Sequence, residues 1–184
     1  DPADNEAAHA LESRYPFMFH TAGAHPHASQ DMTEEEFKKT EAFIEATRPS
    51  AIGEIGIDYF KSPADAATQK RVFVRMLGLA MKHRLPVVVH SRNAFRDTLD
   101  ILRSETSGGL RGVMHCFSYG EAELKELLDF GFLASFTCNL TFKNAAPLLE
   151  VARAAPLDRI MLETDSPYLA PQVYRGKRNE PSCL

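Results

Sequence analysis

Beginning at Phe17, short apolar runs alternate along the chain with longer stretches of helical period, the pattern of β-α-β crossovers and a parallel sheet. Six runs predict strands: Phe17 to Gly23, Ser50 to Ile57, Leu85 to Val89, Gly112 to Met114, Phe132 to Thr137 and Arg159 to Leu162. Thr33-Glu-Glu-Glu36 reads as a capping box, and Phe37 and Ile44 then share one helical face. Ala64 to Arg84 predicts a longer helix that turns Phe73, Leu77 and Ala80 to a core, and Pro86 opens the strand after it. Shorter helices are predicted over Ala94 to Leu102, Glu121 to Phe130 and Ala145 to Ala154. Asn5 to Arg14 predicts one more, with Ala7, Ala10 and Leu11 on a common face; its partner strand would lie before Asp1, so the chain is expected to start mid-pattern. The series contains no Gly-rich P-loop, GxGxxG turn or internal repeat, which favours a barrel over an open nucleotide-binding sheet.

Length and composition add limits. A chain of 184 residues with 44% hydrophobic side chains can bury one sizeable core, so a single domain over residues 1–184 is expected. The net charge of −4 excludes binding to nucleic acid through bulk charge, and leaves a local basic patch or bound metal ions as the means of holding phosphate. Cys116, Cys138 and Cys183 are odd in number and lack C-x-x-C spacing, which speaks against a disulfide framework or a zinc knuckle and suits a reducing cytoplasm. The start, Asp1-Pro-Ala-Asp-Asn-Glu, has no signal-peptide character, and no apolar run approaches membrane-spanning length; a cytoplasmic protein without a membrane partner is expected.

The chemistry concentrates where predicted strands end. His25 lies in Gly-Ala-His-Pro, Glu54 and Asp58 in Gly-Glu-Ile-Gly-Ile-Asp, His90 in Val-Val-His-Ser-Arg, His115 in Met-His-Cys-Phe-Ser and Asp165 in Leu-Glu-Thr-Asp-Ser-Pro. In a barrel the C-terminal strand edges form one face, so these residues would converge on one cleft as a mixed nitrogen and oxygen metal site. A lone strand-end histidine is more often a hydrogen-bonded structural residue; recurrence at equivalent positions is what favours ligation. Ser91 and Ser118 follow no Gly-x-Ser-x-Gly elbow, and Cys116 sits at an apolar strand end, so nucleophile readings fare worse.

Residues 51 to 59 (Ala-Ile-Gly-Glu-Ile-Gly-Ile-Asp-Tyr), 86 to 92 (Pro-Val-Val-Val-His-Ser-Arg), 115 to 118 (His-Cys-Phe-Ser), 162 to 171 (Leu-Glu-Thr-Asp-Ser-Pro-Tyr-Leu-Ala-Pro) and 174 to 181 (Tyr-Arg-Gly-Lys-Arg-Asn-Glu-Pro) resemble, in order and spacing, the signatures of the TatD-like metal-dependent deoxyribonucleases. The resemblance spans nearly the whole chain and implies a TIM-type (β/α) barrel, incomplete here at about six of eight strands. It implies hydrolysis of DNA phosphodiester bonds, single-stranded or 3′-ended, by a metal-activated water, with up to two divalent ions of the Mg, Mn or Zn kind. Residue by residue, Glu54 resembles the carboxylate shared between metals, His90 and His115 the imidazole ligands of one metal, and Asp165 the ligand of strand eight, which also handles protons. Glu54 and Asp165 are thus the catalytic candidates. His25, Arg92, Arg175, Lys177 and Arg178 are candidates for holding substrate phosphates.

The family's first strand carries a His-x-His pair with no counterpart in this chain. His25-Pro-His27 has that spacing, but lies in the segment resembling the third strand and is expected to be a decoy for that role. A full barrel usually takes about 250 residues, so a truncated domain is expected, with weak metal binding and poor hydrolysis. Its two open edges would invite self-association. Two alternatives stand beside the nuclease: an inactive barrel remnant acting through protein association, and an amidohydrolase-type barrel enzyme on another substrate.

Overall fold

The computed structural model describes residues 2–106 and 109–184. The chain divides into two compact units, Asp1–Gly112 and Val113–Leu184.

In the N-terminal unit the order is α1 (Pro2–Arg14), β1 (Thr21–Ala22), α2 (Glu34–Thr47), β2 (Ala51–Asp58), α3 (Ala66–His83), β3 (Val87–Arg92) and α4 (Phe95–Thr106), leading into β4 (Gly112–Met114). β1 pairs parallel with β2, and β2 parallel with β3. Consecutive parallel strands need a crossover, and α2 and α3 supply it. α2 buries Phe37 and Ile44, and α3 buries Val72, Phe73, Met76, Leu77 and Ala80. With Ile52, Ile55, Ile57, Val87 and Val89 from the strands, these side chains make the core of this unit. The Thr33 hydroxyl caps the Glu36 N–H at 3.3 Å, while the Thr33 N–H donates to the Asp31 carbonyl at 2.9 Å, so only half of the expected capping box forms.

Two expectations are corrected here. The strand predicted over Phe17 to Gly23 shrinks to Thr21–Ala22, and Phe17 and Phe19 are each 76% exposed. Among the described residues β1 ends the strand order and pairs with β2 alone, so pairing does not draw those two side chains into a core. Helix α1 forms, yet Ala7, Ala10 and Leu11 face outward; Asn5, Ala8, His9 and Glu12 form the more buried face. Polar contacts set that orientation, since buried Asn5 accepts from Gly23 N (3.3 Å) and donates to Gly23 O (3.4 Å).

The C-terminal unit continues β4 into α5 (Glu121–Phe130), β5 (Leu133–Phe136), α6 (Ala146–Ala154) and β6 (Ile160–Leu162). β4 pairs parallel with β5, and β5 with β6. α5 coincides with its predicted span and ends at Gly131, whose φ of 103° suits glycine at a helix C-terminus. Met114, Phe117, Leu124, Leu127, Phe132, Ala134 and Phe136 are buried, whereas Met161 and Leu162 on β6 stay largely exposed. Among the described residues no helix is long and apolar enough to cross a membrane.

Candidate metal centre

In the N-terminal unit the site grows out of an irregular stretch of β2. The pairing of β2 with β3 shifts register between Ile52 and Ile55, so both isoleucines are fully buried although three positions apart, and Glu54 is carried out of the period-two pattern to 28% side-chain exposure. Gly56 pairs with His90; its φ is 142°, and a β-carbon there would lie 1.9 Å from the His90 carbonyl oxygen. Only glycine lets β2 lie this close against the residue that carries the imidazole. Pairing continues to Asp58 and Arg92, so Glu54 and His90 project from mid-strand and only Asp58 and Arg92 end their strands.

His90 is held between two carboxylates: Nδ1 lies 2.8 Å from Glu54 Oε1 and Nε2 3.2 Å from Asp58 Oδ2. His27 Nε2 meets the same Asp58 oxygen at 2.9 Å. The other Asp58 oxygen accepts from the Phe60 and Lys61 N–H groups, each at 2.8 Å, and the Asp58 N–H donates to the buried Gln69 side chain. Burial would raise the pKa of Asp58, but the His27 contact and the two backbone N–H bonds outweigh it and hold the carboxyl at about 2. Asp58 is therefore ionised, and an imidazole in its neutral form has one N–H to share between Asp58 and Glu54. In that form one of the two His90 contacts sets a ring lone pair against a carboxyl oxygen, an electron-rich arrangement that suits a cation.

His25 stands beside this group, its ring centroid 4.8 Å from that of His90 and its Nε2 3.9 Å from Glu54 Oε1. The candidate ligand atoms of His25, Glu54 and His90 all lie within 4.8 Å of one another. Proton bookkeeping argues against ligation by His25, however: its Nδ1 accepts from the His27 N–H at 3.2 Å, so the ring proton sits on Nε2, the atom facing Glu54. Burial, strengthened by the neighbouring His90 and His27 against the opposing pull of Glu54, lowers its pKa to about 4. His25 is a neutral N–H donor at ordinary pH.

In the C-terminal unit His115 follows β4 directly. Its Nδ1 meets Glu163 Oε2 at 2.5 Å, and the other Glu163 oxygen accepts from the Cys116 N–H at 2.7 Å. This contact directs the ring proton to Nδ1 and leaves Nε2, 3.5 Å from Asp165 Oδ1, with its lone pair outward, the tautomer a metal ligand needs. Burial pushes the Cys116 thiol pKa up, which opposes a nucleophilic role.

Of the basic candidates, Arg92 stacks over Phe60 with its guanidinium carbon 4.0 Å from the ring centroid, beside the end of β2. Arg175 lies over Phe142 at 3.9 Å and Lys177 over Tyr174 at 6.0 Å; both are exposed, as is Arg178. The sequence places Asp58 in the expected metal cluster but does not single it out as the group that orients His90, and it gives His27 and Glu163 no orienting role. Glu163 carried a usable signal, since it is the first residue after β6 and stands two positions before Asp165.

The chain matches the family described as TatD related DNase over residues 1–184. It is 41% identical to the Bacillus subtilis protein named as the uncharacterized metal-dependent hydrolase YabD, over an alignment covering the whole chain and 71% of the relative. It is 32% identical to the 3′-5′ ssDNA/RNA exonuclease TatD of Cronobacter sakazakii, covering 98% of the chain and 71% of that protein. The crystal structure of YjjV, a TatD homologue from Escherichia coli K12, superposes with a TM-score of 0.91 at 24% identity, covering 98% of this chain and 70% of that one. The chain thus spans about seven-tenths of the length of each of these three proteins. These likenesses put it in the class of metal-dependent hydrolases built on an α/β fold of TIM-barrel type. It belongs to the TatD-related DNase family.

Proposed function

We propose that this chain is the main part of a nuclease that hydrolyses phosphodiester bonds in single-stranded or 3′-ended DNA. The observation that carries the reading is the opposition of imidazole and carboxylate at His90, between Glu54 and ionised Asp58, repeated at His115 beside Asp165. The likeness to a protein named as an exonuclease on single-stranded DNA and RNA supports the choice of substrate. Glu54, His90, His115 and Asp165 are the residues that would hold divalent metal. When bound, such an ion supplies Lewis-acid polarisation of water and phosphate oxygens and offsets charge that grows in the transition state.

The remaining work falls to the chain's own groups. Asp58 and Glu163 fix the orientation of His90 and His115. Asp165 is assigned the proton of the attacking water. His25, neutral with its proton on Nε2, is assigned as a hydrogen-bond donor to a phosphate oxygen. Arg92, Arg175, Lys177 and Arg178 hold the backbone phosphates of the strand. A cytoplasmic setting suits the three free cysteines.

The test is cleavage of a 3′-labelled single-stranded oligonucleotide with Mn2+ or Mg2+, comparing Glu54→Gln with Arg178→Ala. The first substitution should lower kcat by about a hundredfold or more, because it removes a metal-holding charge. The second should mainly raise KM and flatten the salt dependence by about one phosphate contact. Equal losses of turnover in the two variants would refute this division of roles.

A further inference from the structure

A second group of imidazoles and a carboxylate lies elsewhere in the N-terminal unit, on α1 and the residue that precedes β1. His9 and Glu12 are one helical turn apart, and His20 reaches them with a side chain only 1% exposed. His20 Nε2 is 3.3 Å from Thr47 Oγ1, and that hydroxyl donates its own proton to the Phe43 carbonyl at 2.9 Å. Thr47 can therefore only accept from His20, which puts a ring proton on Nε2; in the neutral ring the Nδ1 lone pair then faces Glu12 Oε2 in close contact. His9 Nδ1 is 3.8 Å from the same carboxylate oxygen and, buried, has no hydrogen-bond partner among the described residues.

Three donor atoms thus converge within 4.8 Å of one another. Two of them carry lone pairs directed at one another's neighbourhood, and the third has no partner of its own. The His9 and His20 rings lie 4.9 Å apart, and Phe43 meets both in T-shaped contacts, so an apolar ring borders the electron-rich donor atoms. A contrasting trio, Glu41, Glu45 and His83, already has the Lys82 amine at 2.7 Å and 3.2 Å from its two carboxylates and offers no such vacancy for charge.

We propose that His9 Nδ1, His20 Nδ1 and a Glu12 oxygen form a second divalent-cation site, of the zinc type. Two nitrogens and one oxygen form a donor set that suits Zn2+ at about 2.0 to 2.2 Å, with water completing four-coordination. Thr47 acts as the outer partner that fixes the His20 tautomer. The ion ties α1 to the chain entering β1, and it stabilises the fold by an amount that grows with the logarithm of its concentration over Kd.

The experiment measures Zn2+ binding to chelator-treated chain by calorimetry and metal analysis, in a Glu54→Gln, His115→Asn background that weakens the other candidate ligands. One Zn2+ per chain should still bind and raise Tm, and adding His9→Ala, a change at a 39% exposed side chain, should weaken that binding at least tenfold. The same comparison in the chain with Glu54 and His115 intact should lose one bound ion per chain on His9→Ala, which keeps the test valid should the background variant fold poorly. Unchanged affinity and stoichiometry on His9→Ala would overturn the proposal. So would an absence of Zn2+ binding in the background variant with Tm independent of Zn2+, which would mean that a proton alone joins His20 to Glu12.

Discussion

His90 and His115 are each held by carboxylates, but their settings differ. His90 sits in the fourth position of a six-residue strand, braced by an Asp58 side chain that is 1% exposed and satisfied by four contacts. His115 follows a three-residue strand, and its brace, Glu163, is 22% exposed and shared with the Cys116 N–H. The first arrangement is built into strand pairing, so the histidine cannot move without the sheet. The second depends on a side chain that arrives from 48 residues downstream. The two settings show how one kind of imidazole–carboxylate pair can be positioned either by backbone register or by a single long-range contact.

The largest expected effect is on the register side. Gly56→Ala should cost about 3 to 5 kcal/mol, from left-handed backbone strain together with overlap onto the His90 carbonyl. Denaturant unfolding of the variant measures it. A loss below about 1 kcal/mol would mean that β2 can withdraw from His90 cheaply, and the contrast between rigid and tethered histidines would fail.

An intermediate effect is expected from the braces. Asp58→Asn and Glu163→Gln should each lower divalent-metal affinity by about 10- to 100-fold, with Asp58→Asn the greater because its carboxylate is the more buried. Isothermal titration with Mn2+ distinguishes them. The reverse order would show that the long-range tether, not the strand-borne brace, carries more of the site's order.

The smallest effect is one of pH, and it belongs to the N-terminal unit. His25 has a folded pKa of about 4 against an ordinary 6.5, so between those values the unfolded chain binds the extra proton and stability falls as pH is lowered. With its side chain 29% exposed, the loss should be about 2 kcal/mol for metal-free chain, complete near pH 4, and absent in His25→Gln. Asp58 works in a lower window: its folded pKa of about 2 lies under the ordinary 3.8, so its contribution is present above 3.8 and is lost as pH falls toward 2. Thermal melts from pH 7 to pH 2 should show the two steps separately. A single step below pH 4 in the unaltered chain would remove His25 from the account.

Periodicity in the sequence determined the order and type of the elements. Every predicted strand and helix has a counterpart, because apolar spacing at 2.0 or 3.6 positions records which faces of a backbone must leave water. The residue types in those runs also brought out His25, Glu54, Asp58, His90, His115 and Asp165 as chemistry-bearing positions, although Glu54 and His90 lie in mid-strand rather than at the expected strand ends. Three further matters rested on tertiary structure. Edge pairing decided that Phe17 and Phe19 lie outside a strand and in solvent, since among the described residues β1 has its hydrogen-bonding partner on one side only. Contacts with Gly23 decided that α1 turns Asn5 inward rather than its alanine face, because a buried amide that meets both backbone groups outweighs a few exposed methyls. The hydrogen-bond partners of each ring decided which nitrogens keep a lone pair: the His27 N–H for His25, Thr47 for His20 and Glu163 for His115. Spacing along a chain counts residues, whereas a tautomer depends on which donors and acceptors folding brings within about 3 Å of each ring, and only the folded structure holds that information.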